Sequence, residues 1–336
     1  MKSWMKKTLV ISAFPALLLS GCGNSNQAAN TAANADNAAA TPVESAASSG
    51  EKLKVVATFY PMVEFTKQIA GDHADVVGLV PSGVEPHDWE PSAKDMAAIQ
   101  DANVFVYNGI VEEWVDSALK STVNPDRVDV QASAGISLME GVEEEDEHGH
   151  EGEAEEGHDH ESTLDPHVWL SPVLAQDEVK SIKDALVKAD PANTTDYENN
   201  ANAFIAKLKE LDEAYKTKLA EVKRKDFITQ HAAFGYLAKQ YGLTQVPIAG
   251  LSPEQEPSAE EMANVVEFAK QNNVHTIFFE TLVSPKVADT IAKELGAETD
   301  VLNPIEGLTE EDIKQGIDYI DIMYSNLDAL TKSLKK

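Results

Sequence analysis

From Lys52 onward, short apolar runs alternate with longer amphipathic stretches, and this alternation is the strongest constraint on the fold. Leu53–Thr58, Asp75–Val80, Val104–Tyr107 and Arg127–Val130 read as strands. Met62–Ala70, Ser92–Ala102 and Pro172–Ala189 carry the helical period, with Ser92 and Asp95 at capping-box spacing. A long polar stretch rich in Ala and Lys follows, from about Pro191 to Lys223, and reads as one helix. The alternation then restarts. Phe227–Thr229, Gln245–Ile248, His275–Phe279 and Thr299–Leu302 read as strands; Ala233–Tyr241, Ser258–Asn272, Pro285–Leu295 and Glu310–Leu330 read as helices. Strands separated by helices build mostly parallel sheets. The expected fold is therefore α/β: two mostly parallel-sheet lobes, residues 51–190 and 224–336, joined by one long linking helix over 191–223, with a cleft between the lobes.

The N-terminus carries a different signal. Lys2, Lys6 and Lys7 precede an apolar run from Leu9 to Leu19, too short for an ordinary transmembrane helix. The run ends in Leu19-Ser20-Gly21-Cys22, which resembles the bacterial lipobox. Residues 1–21 are thus expected to be a lipoprotein signal peptide and Cys22 the lipid-modified first residue, placing the protein on the extracytoplasmic face of the cell membrane. Cys22 is the single cysteine of the chain, which excludes an intramolecular disulfide and a thiolate metal site. Residues 22–50, rich in Ala, Asn, Ser and Thr, lack the periodicity needed to bury a core and read as a flexible tether.

The formal charge of the 336-residue chain is -30, from 57 acidic and 27 basic residues. This speaks against nucleic acid as a partner, because binding a phosphate backbone calls for a basic footprint. Acid is most concentrated in Val142–Glu161, which holds eleven acidic residues, no basic ones, and His148, His150, His158 and His160. Such a segment cannot form a packed core and reads as a disordered loop inserted in the first lobe. His-x-His pairs among carboxylates can gather a divalent metal weakly at neutral pH, the alternative being a solvated charge run without a role.

Four short segments carry the chemistry. Glu85-Pro86-His87-Asp88-Trp89 and Asp165-Pro166-His167-Val168-Trp169 share the pattern acid-Pro-His-x-Trp. In each, the Pro stiffens the approach and the Trp can pack beneath the loop and fix the His. Thr229-Gln230-His231 and Asn303-Pro304-Ile305-Glu306 follow expected strand ends, as His87 does. Ligands of open α/β sheets bind outside the carboxyl ends of the strands. Taken singly, a His after a strand is more often a surface or capping residue, and a loop carboxylate is commonplace. Together, three imidazoles and a carboxylate are a natural tetrahedral set for Zn²⁺. A closed set of four leaves no position for catalytic water, so it points to holding a metal rather than reacting with it. His73 and His275 are assigned structural surroundings only, and Glu280 stands near the expected cleft without an assigned role.

The stretches VEPHDWEPSAKDM, DPHVWLSP, HAAFGYLAKQYGL, GLSPEQEPSAEEM, TIFFETLVSPKVADTIAKELG and LNPIEGLT resemble the metal-specific solute-binding lipoproteins of bacterial ABC importers, over about residues 51–336. The resemblance implies two α/β lobes bridged by a rigid helix, with metal buried between them. It also implies delivery of that metal to an importer's permease and ATPase, and a monomer tethered to the membrane. Carried over by position, it places the metal ligands at His87, His167, His231 and Glu306. Manganese-type members resemble two His with two carboxylates, while zinc-type members have a third His and an acidic His-rich loop. His231 thus favours Zn²⁺ as the transported ligand. Some zinc-type members use water at the fourth position, which leaves Glu306 the least constrained of the four.

Competing readings are a manganese carrier of the same family, a surface adhesin and a zinc hydrolase. The hydrolase lacks support: no HExxH and no nucleophile elbow is present, and the expectation is a protein that is not an enzyme.

Overall fold

The structure is a computed structural model and describes residues 52–141, 164–255 and 257–336. The first lobe begins β1 (Leu53–Ala57), α1 (Tyr60–Ala70), β2 (Ala74–Gly78), α2 (Ala93–Asp101), β3 (Val104–Tyr107), α3 (Val115–Ser121) and β4 (Val128–Gln131). It continues with α4 (Ala175–Ala189). The 27-residue α5 (Thr194–Ala220) leads to the second lobe. There β5 (Asp226–Thr229), α6 (Gly235–Tyr241), β6 (Thr244–Pro247), α7 (Ala259–Gln271), β7 (Thr276–Phe279), α8 (Lys286–Leu295) and β8 (Glu298–Val301) alternate. Helices α9 (Glu310–Gln315) and α10 (Tyr319–Leu334) close the chain.

Both lobes are built on the same plan. The sheets run β2-β1-β3-β4 and β6-β5-β7-β8, and every pairing is parallel. In register, Val55 stands between Val76 and Val104, and Ile228 between Val246 and Ile277. Parallel sheets are covered on both faces, and the central strands β3 and β7 are accordingly near-continuous apolar runs, whereas the edge strands β4 and β8 carry polar residues. The outer face of the first sheet packs Val56 and Phe105 against Ile99 of α2 and Val115 and Ala118 of α3. The corresponding face of the second packs Ile228 and Ile277 against Val265 of α7 and Ile291 of α8.

The inner faces share one core. It runs without a break from Phe59 and Phe65 through α5 to Phe227, Phe278, Leu302 and Tyr319. Helix α5 looks polar because most of its surface is solvated. Tyr197, Ala201, Phe204, Leu208, Leu211, Tyr215 and Leu219 nonetheless lie on one buried stripe at spacings of three and four. The Tyr215 hydroxyl donates to the Met323 carbonyl of α10 at 2.7 Å, tying the linking helix to the closing one. A continuous core of this kind makes the linker a structural member of both lobes.

Two expectations need correction. Glu310–Leu330 is not one helix: Gly316 adopts φ 69° and ends α9, and Asp318 with Asp321 forms a capping box that starts α10. Glycine adopts such a left-handed cap at the least cost. Helix α3 was not anticipated from the sequence; its seven residues are too few to display a period. The Ser92–Asp95 capping box is present as expected.

Candidate metal centre

Each candidate ligand sits on a connection near the carboxyl edge of a sheet. His87 lies on the loop between β2 and α2, and His231 two residues beyond β5. Glu306 lies on the turn after β8, and His167 in the segment leading to α4. One donor atom from each of the four lies within 4.8 Å of all the others. Glu306 Oε1 is 3.3 Å from His87 Nε2, 3.2 Å from His167 Nε2 and 3.4 Å from His231 Nε2. His167 Nε2 and His231 Nε2 are 3.3 Å apart. The side chains of His167 and His231 are 0% exposed, that of Glu306 1% and that of His87 12%.

Two carboxylates behind the rings aim the imidazoles. Asp165 Oδ1 lies 2.8 Å from His167 Nδ1, and Glu280 Oε1 lies 2.5 Å from His231 Nδ1. Each carboxylate favours a proton on Nδ1 and so turns the Nε2 lone pair toward the centre. Asp165 is the acid of the second acid-Pro-His-x-Trp motif; Glu280 is 49 residues from His231, and no local signal joins them.

The Glu306 turn is over-determined. Asn303 and Asn326 exchange two hydrogen bonds, Asn303 N to Asn326 Oδ1 at 2.8 Å and Asn326 Nδ2 to the Asn303 carbonyl at 2.7 Å. Asn303 Oδ1 accepts from Ile305 N at 2.7 Å. Ile305 is wholly buried at φ 61°, a conformation that a β-branched residue adopts only under constraint. This strained residue immediately precedes the carboxylate that meets all three rings.

Electrostatics fit a site that expects a cation. Burial alone would pull the His231 imidazole down, but the charges of Glu280 and Glu306 outweigh it and raise its pKa to about 10. Burial opposes the charged form of His167 too, yet its bonds to Asp165 and Glu306 leave its pKa raised. Burial would push Glu306 up, but His231, His167 and His87 hold it well below the usual carboxylate range. Without metal, His231 therefore carries a second proton at neutral pH, and binding a cation there must displace it.

The two tryptophans do not behave alike. Trp169 is wholly buried, 5.2 Å from the His167 ring between centroids, and donates through Nε1 to the Pro304 carbonyl at 2.8 Å. It packs beneath its loop as anticipated. Trp89 instead packs on Trp114, with centroids 5.5 Å apart, in the outer cluster of the first lobe. The expectation that it fixes His87 is thus corrected: Trp114, the residue just before α3, is an aromatic partner that draws Trp89 away. His73 pairs with Asp196 at 2.9 Å and His275 with Asn273 at 2.9 Å, both in exposed contacts apart from the centre. Cys22 and His148, His150, His158 and His160 lie outside the described residues.

Two parallel α/β lobes on a shared core bring three imidazoles and a carboxylate together as a candidate metal centre. Residues 55–333 match the family model described as the zinc-uptake complex component A, periplasmic, and the chain belongs to this ZnuA family. It is similar to the high-affinity zinc uptake system protein ZnuA of Bacillus subtilis (strain 168), with 54% identity covering 99% of this chain and 98% of that one. Among solved structures it resembles the Zn(II)-bound ZnuA-like domain of Streptococcus pneumoniae AdcA, at 44% identity and a TM-score of 0.72. That match covers 85% of this chain and all (100%) of that one. It also resembles the laminin-binding protein Lmb of Streptococcus agalactiae, described as bifunctional with adhesin and metal-transporting activity. There the identity is 36% and the TM-score 0.73, over 85% of this chain and 100% of that one. The family is one of solute-binding transport proteins.

Proposed function

We propose that this protein captures Zn²⁺ outside the cytoplasm with His87, His167, His231 and Glu306 and delivers it to the permease of an ABC importer powered by a partner ATPase. One observation carries the reading: four donors from four separate segments converge within 4.8 Å, three of them imidazole nitrogens. An N₃O set suits zinc, whereas manganese favours oxygen-rich sites. The lobe assignment, residues 51–190 and 224–336 about a linker at 191–223, belongs to the same proposal. The continuity of the core through α5 supports it.

Metal analysis of the purified protein, with thermal melts in zinc and in manganese, tests the reading. Free zinc at 100 times the dissociation constant should stabilise the fold by about 2.7 kcal/mol. Deleting 142–161 should remove weaker additional binding by His148, His150, His158 and His160 and leave one tight site, since none of His87, His167, His231 and Glu306 lies in that stretch. Equal stabilisation by manganese, full stabilisation of His231→Ala by zinc, or loss of the tight site with the loop would overturn the assignment.

Anchoring through Cys22 completes the proposal. No helix among the described residues is long and apolar enough to cross a membrane. A lipid on Cys22 would hold the receptor near its permease, and Cys22→Ala should release it from the membrane fraction. Persistence of an acylated species in that variant would refute the anchor.

A further inference from the structure

We propose that Gly235 and Tyr236, at the start of α6, are positioning residues for the metal site: they fix Asp165 and, through it, the ring of His167. The inference rests on the zinc reading of the four-ligand centre. The Tyr236 hydroxyl donates to the Asp165 carbonyl at 2.8 Å and accepts from Met139 N at 2.8 Å. Asp165 N in turn donates to the Met139 carbonyl at 2.9 Å. One buried hydroxyl thus clamps two chain segments of the first lobe from a helix of the second.

Gly235 governs the other end of Asp165. A Cβ placed at 235 would lie 2.8 Å from Asp165 Oδ2, closer than real side chains approach. The glycine is needed for space here and not for backbone freedom. Asp165 is 3% exposed, and its Oδ1 accepts from both Nδ1 and the backbone N of His167, at 2.8 and 2.9 Å. Any side chain at 235 must therefore push the carboxylate that aims His167. Burial, with the charges of Asp165 and Glu178 adding to it, raises the Tyr236 phenol to about 12, so at neutral pH it can both donate and accept. Segment 231–236 then does two jobs: it supplies His231 directly, and it sets the direction of a second imidazole from across the cleft.

The test uses the full-length protein with Tyr236→Phe, Gly235→Ala, Asp165→Asn and the combined Tyr236→Phe/Asp165→Asn variant. Zinc affinity is read by chelator competition, site geometry by the visible spectrum of bound Co²⁺, and folding by the metal-free melting temperature. Each single substitution should weaken zinc about 10–100-fold, the range for loss of a ligand's orienting partner, and shift the cobalt bands. Because Tyr236 acts through Asp165, the combined variant should bind about as weakly as Asp165→Asn alone, not at the product of the two losses. Unchanged affinity and cobalt spectrum in Tyr236→Phe, whatever happens to its melting temperature, overturns the proposal. Independent, multiplying losses do the same. Should Gly235→Ala fail to fold, Tyr236→Phe keeps the ring packing and decides alone. An unmutated protein that binds neither zinc nor cobalt would instead sink the zinc reading on which this rests.

Discussion

The chain uses the pentapeptide pattern acid-Pro-His-x-Trp twice, and the two copies end in opposite circumstances. In the second copy every element is internal: Asp165 holds the His167 ring, His167 is wholly buried, and Trp169 bonds across the cleft to Pro304. In the first copy Glu85 accepts from the backbone N of His87, at 3.0 Å, and leaves its ring alone. His87 keeps 12% exposure, and Trp89 turns outward to Trp114. The same motif pattern therefore yields one imidazole built into a frame and one standing at the rim. The motif supplies ligands; the packing around it decides how firmly each is held.

The comparison breaks most directly at the ligands. His167→Ala should cost more zinc affinity than His87→Ala, because water can reach the position vacated at the rim and cannot readily enter one that is sealed. The acids should follow suit. Asp165→Asn should weaken zinc about 10–100-fold, while Glu85→Gln, which touches only backbone, should change affinity less than tenfold. Chelator competition on the four variants gives the ranking. Equal losses at His87 and His167, or a larger loss at Glu85 than at Asp165, would show that burial does not set the contribution.

Much of this was legible before any coordinates. The alternation of runs gave parallel sheets, and the ends of those runs placed His231 and Glu306 at carboxyl edges. What stayed hidden depended on contacts between distant residues. Asn326 pins the Glu306 turn from 23 residues away, and Gly235 makes room for an aspartate 70 positions earlier; neither has a periodic or motif signature. The left-handed Ile305 was hidden for a related reason, since intrinsic preference argues against that backbone and only the surrounding bonds impose it. The break at Gly316 differs. Gly316 and the Asp318/Asp321 pair are local stop and start signals, and the apolar period running past them obscured both.

The tryptophans sharpen the contrast at a smaller scale. Trp169→Phe keeps a ring in the core but strands the Pro304 carbonyl two residues before Glu306. Loss of a buried partner costs about 1–3 kcal/mol, and zinc affinity should fall with it because the Glu306 turn loosens. Trp89→Phe removes no cross-lobe bond and should leave zinc affinity unchanged. Melting temperatures and zinc titrations of the pair separate the two roles. A loss of zinc affinity in Trp89→Phe would restore the outer tryptophan as a support for His87.

The smallest expected effect on zinc binding concerns what lies behind the second motif, where the change is read in stability instead. The Asn108 amide donates to the Pro166 carbonyl at 3.4 Å and approaches Glu178 Oε1 at 3.5 Å, while Glu112 accepts from Thr58 and from Asn108 N. The first motif has no such buried polar backing among the described residues. Burial pushes Glu178 up to about 8, with neighbouring Glu112 adding to the shift, so the native protein holds a proton there at neutral pH. The unfolded chain releases that proton near the ordinary glutamate value of about 4.3. Between that pH and about 8 the native state binds more protons than the unfolded one, so this group makes stability fall as pH rises and adds no further slope above about 8. Glu178→Gln removes the titration while keeping the shape. Its melting temperature relative to the unmutated protein should therefore climb between about pH 4.3 and 8. Melts of the metal-free pair across that range read the difference directly. A gap that stays flat with pH would mean that Glu178 is ionised in the fold, and that the second motif rests on a buried charge rather than on a neutral acid.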